Sequence, residues 1–235
     1  MRKLIVVTGG SQGIGRAIIS KFAAEGFDVV TCARHAADLE VLKIQIEKLN
    51  PGSSVFFRQT DMSIRSEVER FAEYILSLDR PINVLVNNSG YFVPGEISTE
   101  PDGNLEGMIN ANLYSAYHLT RALAWEFKTR KAGHIFNMCS IASIQAYKNG
   151  GSYAISKFAL LGFSKCLREE LKDYKVRVTA VLPGATKTRS WSGTGLPDER
   201  FIRPEDIATA VFSAYALSPN SVVEEIIIRP QEGDI

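Results

Sequence analysis

The fold of this 235-residue chain is decided by Lys3–Gly15, which reads KLIVVTGGSQGIG. A run of branched apolar residues there has the composition of a buried strand, and glycines with the spacing Gly-x-x-x-Gly-x-Gly follow it. A helical pattern then continues to Glu25, Gly26 ends it, and Asp28–Ala33 has the composition of a second buried strand. This order predicts a β-α-β unit with a glycine-rich turn after its first strand.

A glycine-rich turn in this position can hold a dinucleotide. Glycine lets the backbone approach a pyrophosphate closely, and the start of the following helix offers unpaired N–H groups and a partial positive charge. We assign Gly9 to the tight turn, Gly13 to the approach to the phosphates and Gly15 to the contact between helix and strand. A turn that serves only packing is the alternative interpretation.

The rest of the chain alternates between short apolar runs, which predict strands, and longer segments with helical periodicity. The further predicted strands are Ser54–Gln59, Ile82–Val86, Ile135–Cys139, Val176–Leu182 and Glu225–Ile228. The further predicted helices are Ala37–Leu49, Ser63–Leu78, Pro101–Lys131, Gly151–Leu171 and Pro204–Leu217. Strands separated by helices predict a single α/β domain over residues 1–235, a Rossmann-like, doubly wound parallel sheet with helices on both faces.

The composition argues against several functional classes. The formal net charge is only +1, which gives no bulk attraction to nucleic acid or to a membrane surface. No apolar stretch approaches transmembrane length, and Leu4–Val7 is too short for the core of a signal peptide. The three cysteines and three histidines lack the spacing of metal ligands. We therefore expect a cytosolic protein with free thiols, no metal, and neither nucleic acid nor membrane as a partner.

The unusual residues share one location, just beyond the carboxyl ends of the predicted strands. In an open parallel sheet these ends lie along one edge, which is where ligands bind. The clusters are Gly9–Gly15, Arg34, Asp61, Asn87–Gly90, Ser140 and Pro183–Thr188. The sequence therefore predicts one extended site along this edge.

A candidate acid–base pair lies in the helix predicted from Gly151. Tyr153 and Lys157 are four residues apart and share one helix face. A cation beside the phenol would lower the Tyr153 pKa from its usual value of about 10 towards the range of a general acid. Ser140 ends the preceding strand, where its hydroxyl could steady the same reacting oxygen or serve as an ordinary turn residue. By itself the Tyr-x-x-x-Lys spacing also fits a rim tyrosine and a solvated lysine.

Together these motifs make the chain resemble the short-chain dehydrogenases/reductases over nearly its whole length. Thr8–Gly15 resembles the family's Thr-Gly-x-x-x-Gly-x-Gly turn, and Asn87–Gly90 resembles its Asn-Asn-Ala-Gly motif with serine in place of alanine. Pro183–Thr188 resembles the Pro-Gly-x-x-x-Thr segment beside the nicotinamide. The residues that fall in order at the family's catalytic positions are Asn112, Ser140, Tyr153 and Lys157.

The resemblance implies an enzyme that transfers a hydride from or to a nicotinamide cofactor. Tyr153 would give a proton to a substrate carbonyl oxygen, or remove it from an alcohol, and Ser140 would hydrogen-bond the same oxygen. Lys157 would hold the nicotinamide ribose hydroxyls, and Asn112 would support a water that links Lys157 to solvent. Asn87 would mainly tie neighbouring strands together.

The residues expected to bind the cofactor lie along the same edge. They are Gly9, Ser11, Gln12, Gly13, Ile14, Gly15, Arg34, Asp61, Met62, Asn88, Ser89, Gly90, Tyr153, Lys157, Pro183, Gly184, Thr186 and Thr188. Asp61 resembles the acid that binds the adenine amino group. Its alternative role is to cap the following helix together with Ser63.

Arg34 decides which cofactor we expect. Sites that prefer NAD place a carboxylate at the end of the second strand, whereas an arginine there accommodates the 2′-phosphate of NADP. Neutral Ala33 precedes Arg34, whose guanidinium suits a phosphate, so we predict NADP(H) in preference to NAD(H). Gln12 counts slightly against this, since some NADP-dependent relatives carry a second basic residue in the glycine turn. A solvated Arg34 at a helix start is the alternative.

The substrate side is less determined by the sequence. Residues 189–203 combine glycines with apolar side chains and predict a mobile lid over the substrate. The aromatic residues Phe92, Tyr147, Trp191 and Phe201 could line an apolar pocket or could simply pack.

The leading functional hypothesis is an NADP(H)-dependent carbonyl reductase or alcohol dehydrogenase. A 3-oxoacyl-(acyl carrier protein) reductase would need a basic landing patch, although solvated helix faces explain the same charges. The candidate patch residues are Arg121, Lys128, Arg130, Lys131, Lys165 and Arg168. The ending IIIRP at 226–230 differs from the strand and Gly-Gly ending of such relatives, which puts both that substrate and the usual C-terminal tetramer contact in doubt. A cofactor-binding sensor without catalysis is the third hypothesis. The resemblance also implies a homodimer or homotetramer, through helices 113–130 and 152–172.

Overall fold

Parallel strands in one sheet form the centre of the computed structural model, which describes residues 1–191 and 193–235. The strands within these residues are β1 (Leu4–Thr8), β2 (Asp28–Ala33), β3 (Val55–Gln59), β4 (Ile82–Asn87), β5 (Gly133–Met138), β6 (Val176–Pro183) and β7 (Glu225–Ile228). Their order across the sheet is β3-β2-β1-β4-β5-β6-β7, and each neighbouring pair is parallel. The chain therefore starts in the middle and winds first to one edge and then to the other, which confirms the doubly wound sheet.

The helices cover both faces of this sheet. In the described part of the chain they are α1 (Gly13–Ala24), α2 (Ala36–Leu49), α3 (Arg65–Ser77), α4 (Asn104–Ile109), α5 (Ser115–Arg130), α6 (Gly151–Leu171) and α7 (Pro204–Ala216). Side chains of β1 alternate between the two layers, so that Ile5 and Val7 pack with α1, α2 and α7. Leu4 and Val6 pack with α3, α5 and α6 on the other face. This three-layer core confirms the Rossmann-like fold.

The helix predicted over Pro101–Lys131 is interrupted in the structure. It is divided into α4, a π-helical turn at Asn110–Tyr114, and α5. The turn inserts extra backbone into the helix and places Asn112 inside the protein, where its side chain is buried. Apolar periodicity continues through such a turn, so the sequence pattern did not reveal it.

Two other predicted segments also differ from the structure. Helix α3 begins at Arg65 rather than at Ser63, because the Asp61 carboxylate accepts hydrogen bonds from the backbone N–H (2.9 Å) and the hydroxyl (2.7 Å) of Ser63. Asp61 therefore closes a turn before the helix and does not cap it. The loop predicted over Pro183–Arg203 contains short 3₁₀ turns at Arg189–Trp191 and Asp198–Arg200.

Candidate active site

The glycine-rich turn after β1 needs its glycines for two different reasons. Gly9 and Gly13 have φ angles of +66° and +54°, a left-handed conformation that residues with a Cβ rarely adopt. A Cβ atom at Gly15 would lie 2.4 Å from Gly9 O and 2.6 Å from Asn88 Nδ2, so a side chain there would collide with the turn itself. The tight turn assigned to Gly9 is confirmed.

The close contact between helix α1 and strand β2 is made by Gly10, which the sequence analysis did not single out. A Cβ atom at Gly10 would lie 2.1 Å from Thr31 Oγ1 and 2.3 Å from Ile19 Cδ1. Gly15 brings α1 close to the residues that directly follow β1 and β4, namely Gly9 and Asn88, so the contact assigned to Gly15 is shared with Gly10. The Thr31 hydroxyl is fixed there because it donates to Val7 O at 2.8 Å. No local sequence signal reveals this tertiary contact.

The loop after β4 is fixed to the glycine turn by side chains. Asn88 Nδ2 donates to Thr8 O at 2.9 Å and to Gly9 O at 3.1 Å. The Thr8 hydroxyl accepts from the backbone N–H groups of Asn88 and Ser89, each at 2.9 Å. Asn88 and Ser89 thus hold the loops that follow β1 and β4 together at the middle of the sheet edge.

Asn87 has the structural role predicted for it. Its Nδ2 donates to Asn137 Oδ1 on β5 and to the Thr120 hydroxyl on α5, both at 2.9 Å. Asn137 Nδ2 in turn donates to the Ser164 hydroxyl on α6 at 3.0 Å. This buried polar network joins two strands to two helices directly behind the site.

Ser140, Tyr153 and Lys157 meet at the end of β5. Ser140 follows the strand and caps a short 3₁₀ turn, since its hydroxyl accepts from the Ala142 N–H at 3.1 Å. Lys157 Nζ donates to Met138 O at 2.8 Å and lies 5.7 Å from the centroid of the Tyr153 ring. The hydroxyl, the phenol and the ammonium therefore line the same part of the cleft.

Burial is the main cause of the pKa shifts of Tyr153 and Lys157. It raises the pKa of the Tyr153 phenol above its usual value, and the hydrogen-bonding Ser140 hydroxyl offsets part of the rise. Burial also lowers the pKa of Lys157 to about 8. The prediction that Lys157 lowers the Tyr153 pKa is thus wrong for this geometry, because removing both groups from water disfavours both charged forms.

Asn112 holds a loop in place from its position in the π-helical turn. Its Oδ1 accepts from the Tyr91 N–H at 2.9 Å, and its Nδ2 donates to Tyr91 O at 3.1 Å and to the Ser156 hydroxyl at 2.8 Å. Gly90 packs against it, since a Cβ atom at Gly90 would lie 2.7 Å from Asn112 Oδ1. The side-chain amide is thus engaged by the protein, and support of a water by Asn112 stays a prediction.

A single cleft of about 850 Å³ runs along this edge of the sheet. It is lined by Ser140 and by all of the predicted cofactor-binding residues except Gly15, which lies behind the turn. The predicted catalytic residue Asn112 also does not line the cleft, because it lies behind the loop that it holds. Arg34 is exposed at one end, beside half-buried Ala33, and its carbonyl accepts from Gln59 Nε2 at 2.9 Å. His35 and Asp38, which were not among the predicted cofactor-binding residues, also line this end.

The aromatic residues proposed for the substrate pocket separate into two groups. Phe92, Tyr147 and Trp191 line the cleft, and the Phe92 ring meets the Tyr153 ring edge-on with centroids 4.9 Å apart. Phe201 is buried and its ring packs 5.4 Å from the Trp191 ring, so of the two roles considered for it the structure shows packing. The predicted lid includes Ser192, which lies outside the described residues, and its mobility stays a prediction.

The segment after β7 completes the substrate side and was missed from the sequence. Asp234 and Ile235 line the cleft, and Arg229 pairs with Asp234 and donates to Gln145 Oε1 at 3.3 Å. Glu232 forms an ion pair of 2.8 Å with Arg200 in the predicted lid. The signal was topological, because residues that follow any strand of a parallel sheet emerge at the same edge.

The described residues contain no cluster of His, Cys, Asp or Glu arranged to hold a metal ion. Over the same ranges, 1–191 and 193–235, no helix combines the length and apolar character needed to cross a membrane.

The chain is similar to known proteins over nearly its whole length. A protein-family model described as short chain dehydrogenase matches residues 3–196. The sepiapterin reductase of Chlorobaculum tepidum is 35% identical, with 100% of this chain and 99% of the relative covered.

Solved structures agree with this result. An alcohol dehydrogenase from Thermococcus sibiricus complexed with 5-hydroxy-NADP has a TM-score of 0.91 and 28% identity, covering 98% of this chain and 97% of that one. L-Sorbose reductase from Gluconobacter frateurii, complexed with NADPH and L-sorbose, has a TM-score of 0.89 and 26% identity over 97% and 95% of the chains. The likeness thus extends over nearly the whole length of this chain and of each solved structure.

Proposed function

Because the chain belongs to the short-chain dehydrogenase family of oxidoreductases, we propose that it transfers a hydride between NADP(H) and a small carbonyl or alcohol substrate. The observation that carries this proposal is the convergence of Ser140, Tyr153 and Lys157 on the cleft that begins at the glycine turn. A buried ammonium beside a half-buried phenol is expensive to maintain for packing alone.

The residues of the cleft fit a dinucleotide. Left-handed Gly9 and Gly13 leave the backbone of the turn open to a pyrophosphate at the start of α1. Asp61 and Met62 would hold the adenine end, and Thr186 and Thr188 would contact the nicotinamide end, where Lys157 would bind the ribose. When bound, the cofactor supplies the hydride.

Proton transfer is the part that the chain itself performs. Because burial raises its pKa, the Tyr153 phenol is protonated at neutral pH and can donate to the oxygen of a carbonyl substrate. Ser140 would hydrogen-bond the same oxygen. With a pKa of about 8, Lys157 is mainly cationic at pH 7 and would stabilise the phenolate that forms. In the direction of alcohol oxidation the phenolate would accept the proton.

NADP(H) is the proposed cofactor in preference to NAD(H). Arg34 offers an exposed guanidinium at the end of β2, and neutral Ala33 offers no carboxylate to repel a 2′-phosphate. Solved relatives complexed with NADP or its reduced form support this choice. Asp38 lies in the same end of the cleft, so the balance of charge there has to be measured.

The substrate that we would test first is sepiapterin. The most informative relative for this purpose is a sepiapterin reductase at 35% identity over the entire chain. The cleft beside Tyr153 has aromatic walls in Phe92, Tyr147 and Trp191, which suit a flat, partly polar ring. A simple ketone or a sugar ketone remains within the same proposal.

Reduction of an acyl-carrier thioester is the weaker alternative. In the proposed landing patch, Lys128, Lys165 and Arg168 form ion pairs with Glu170, Glu225 and Glu224 at 2.6, 3.0 and 3.4 Å. Charges neutralised within the chain attract an acidic carrier less strongly. A sensor without catalysis is also weaker, since it gives no reason for Tyr153 and Lys157 to share the cleft.

We also propose a homodimer or homotetramer in the cytosol. Exposed apolar side chains on the outer face of α5 and α6, namely Tyr117, Trp125, Ile155 and Phe158, support an interface between copies. The free thiols Cys32, Cys139 and Cys166 support a reducing compartment.

Consumption of NADPH tests the proposed function directly. The purified protein would be assayed with sepiapterin, simple ketones and aldehydes, L-sorbose and a 3-oxoacyl thioester, with NADPH and NADH in parallel. Turnover of at least one free carbonyl compound with NADPH is expected. Turnover of the thioester alone would overturn the substrate class, and binding of NADPH without any turnover would favour the sensor.

A further inference from the structure

A carboxylate at the start of the catalytic helix takes no part in the steps above. Glu100 lies in the segment between β4 and α4, and its Oε1 accepts a hydrogen bond from the Ser152 hydroxyl, one residue before Tyr153. Its Oε2 is buried and has no hydrogen-bond partner within the described residues. Such an oxygen is costly unless the surrounding field favours it, and the start of α6 supplies a positive field.

Two glycines bring the segment and the helix into contact. A Cβ atom at Gly151 would lie 2.4 Å from Gly95 O and 3.3 Å from Glu100 Oε2. The Gly95 N–H donates to Asn149 O at 3.0 Å, just before the helix. Glu100 therefore lies against the first turn of α6 through a contact that a side chain at Gly151 would prevent and one at Gly95 would crowd.

The other end of the same segment is fixed to the site as well. Asn112 binds both the N–H and the carbonyl of Tyr91, and the ring of Phe92 packs edge-on against Tyr153. The segment 91–100 is thus attached at one end to Asn112 and at the other to the helix that carries Tyr153. Its first two residues, Tyr91 and Phe92, line the cleft.

We propose that Glu100 is a positioning residue, which fixes the first turn of α6 and the Phe92 wall relative to the Tyr153 hydroxyl. This inference rests on the proposed function. Most of the residues proposed to bind the dinucleotide lie outside α6, so loss of Glu100 should change proton transfer with little effect on cofactor affinity.

Substitution at both ends of the contact tests the assignment. Glu100→Ala and Ser152→Ala should each lower kcat roughly 10- to 100-fold through misplacement of the acid, with the KM for NADPH unchanged. The double variant should be no slower than Glu100→Ala, because both changes remove one interaction. Glu96→Ala, which removes an exposed carboxylate from the same segment, is the matched control and should keep the full rate.

Amide hydrogen exchange provides a readout that needs no substrate. Glu100→Ala should speed exchange at the Gly95 amide and leave the amides of β1 protected. Glu100→Gln keeps the size of the side chain and the acceptor for Ser152. It therefore replaces the alanine variant if that variant does not fold, and it should show a smaller loss of kcat.

Unchanged exchange and unchanged kcat in these variants would overturn the assignment. If wild type lacks carbonyl turnover, the proposed function fails, and exchange still decides whether Glu100 anchors the segment.

Discussion

The two ends of the cleft are built in different ways. At the dinucleotide end, the shape of the cleft is set mainly by backbone conformation. Gly9, Gly10, Gly13 and Gly15 form a turn that larger residues would not allow. At the substrate end, side chains distant in sequence make the structure, as in the pairs of Asn112 with Tyr91 and Glu100 with Ser152. The first end is therefore readable as a motif, whereas the second depends on tertiary contacts.

Tyr153→Phe should separate the two ends most clearly. Loss of the phenolic proton should lower kcat by about 10²- to 10⁴-fold. Affinity for NADPH, measured by fluorescence titration, should stay close to that of wild type because the turn after β1 is untouched. Tyr174→Phe, at an exposed position after α6, is the control and should be fully active. Rapid turnover by Tyr153→Phe would show that another group is the acid.

Gly10→Ala should damage the dinucleotide end through packing. The new Cβ would lie 2.1 Å from Thr31 Oγ1 and 2.3 Å from Ile19 Cδ1, and such overpacking typically costs about 1–3 kcal/mol. The free energy of unfolding in urea measures the effect. Gly162→Ala in α6 is the matched control, since no atom lies within 4 Å of its Cβ position, and it should stabilise the protein by up to about 1 kcal/mol. Equal stability of the two variants would contradict the role given to Gly10.

Arg34→Asp should change which cofactor the dinucleotide end accepts. A carboxylate in place of the guanidinium should raise the KM for NADPH about 10- to 100-fold and favour NADH, in keeping with loss of a charge-assisted contact of about 1.5–3 kcal/mol. The ratio of kcat/KM for the two cofactors is the measurement. Arg70→Asp on the exposed face of α3 makes the same charge change away from the cleft. An unaltered ratio would mean that Arg34 only faces solvent.

The pH dependence should report Lys157. Because its pKa is about 8, carbonyl reduction should be constant below that value and decline as pH rises through it and the charge is lost. The free energy of unfolding should change in the opposite direction and increase over the same rise in pH. The folded-state pKa lies below the ordinary lysine value of 10.5, so the charge costs stability below about pH 8, and this cost disappears between pH 8 and 10.5. Lys157→Met should remove this pH-dependent gain in unfolding free energy.

Lys128→Ala should have the smallest effect. Its ion pair with Glu170 is at the surface, and surface changes usually stay within about 0.5 kcal/mol, or about twofold in rate. Ketone turnover should therefore be the same as in wild type. A selective fall in turnover of an acyl-carrier thioester would instead identify the paired basic patch as a landing surface.

The same contrast separates the features that could be predicted from the sequence from those that could not. The strand and helix order was predictable because apolar periodicity and glycine spacing are local signals, and the predicted strands agree with the observed ones to within two residues at each end. The π-helical turn around Asn112 was not, since it leaves the periodicity intact. The cleft residues Asp234 and Ile235 and the anchor at Glu100 were also missed, because only the assembled sheet edge brings them to the site.

The directly opposed residues Asn87 and Asn137 have a consequence for how the chain assembles. Sliding β4 past β5 by one residue would turn their carboxamides away from each other and into apolar surroundings, at about 1–3 kcal/mol for each orphaned group. Neighbouring apolar side chains are nearly interchangeable and would tolerate such a slip more easily. The amide pair therefore favours the register of β4 against β5 in which the strand ends reach a common rim.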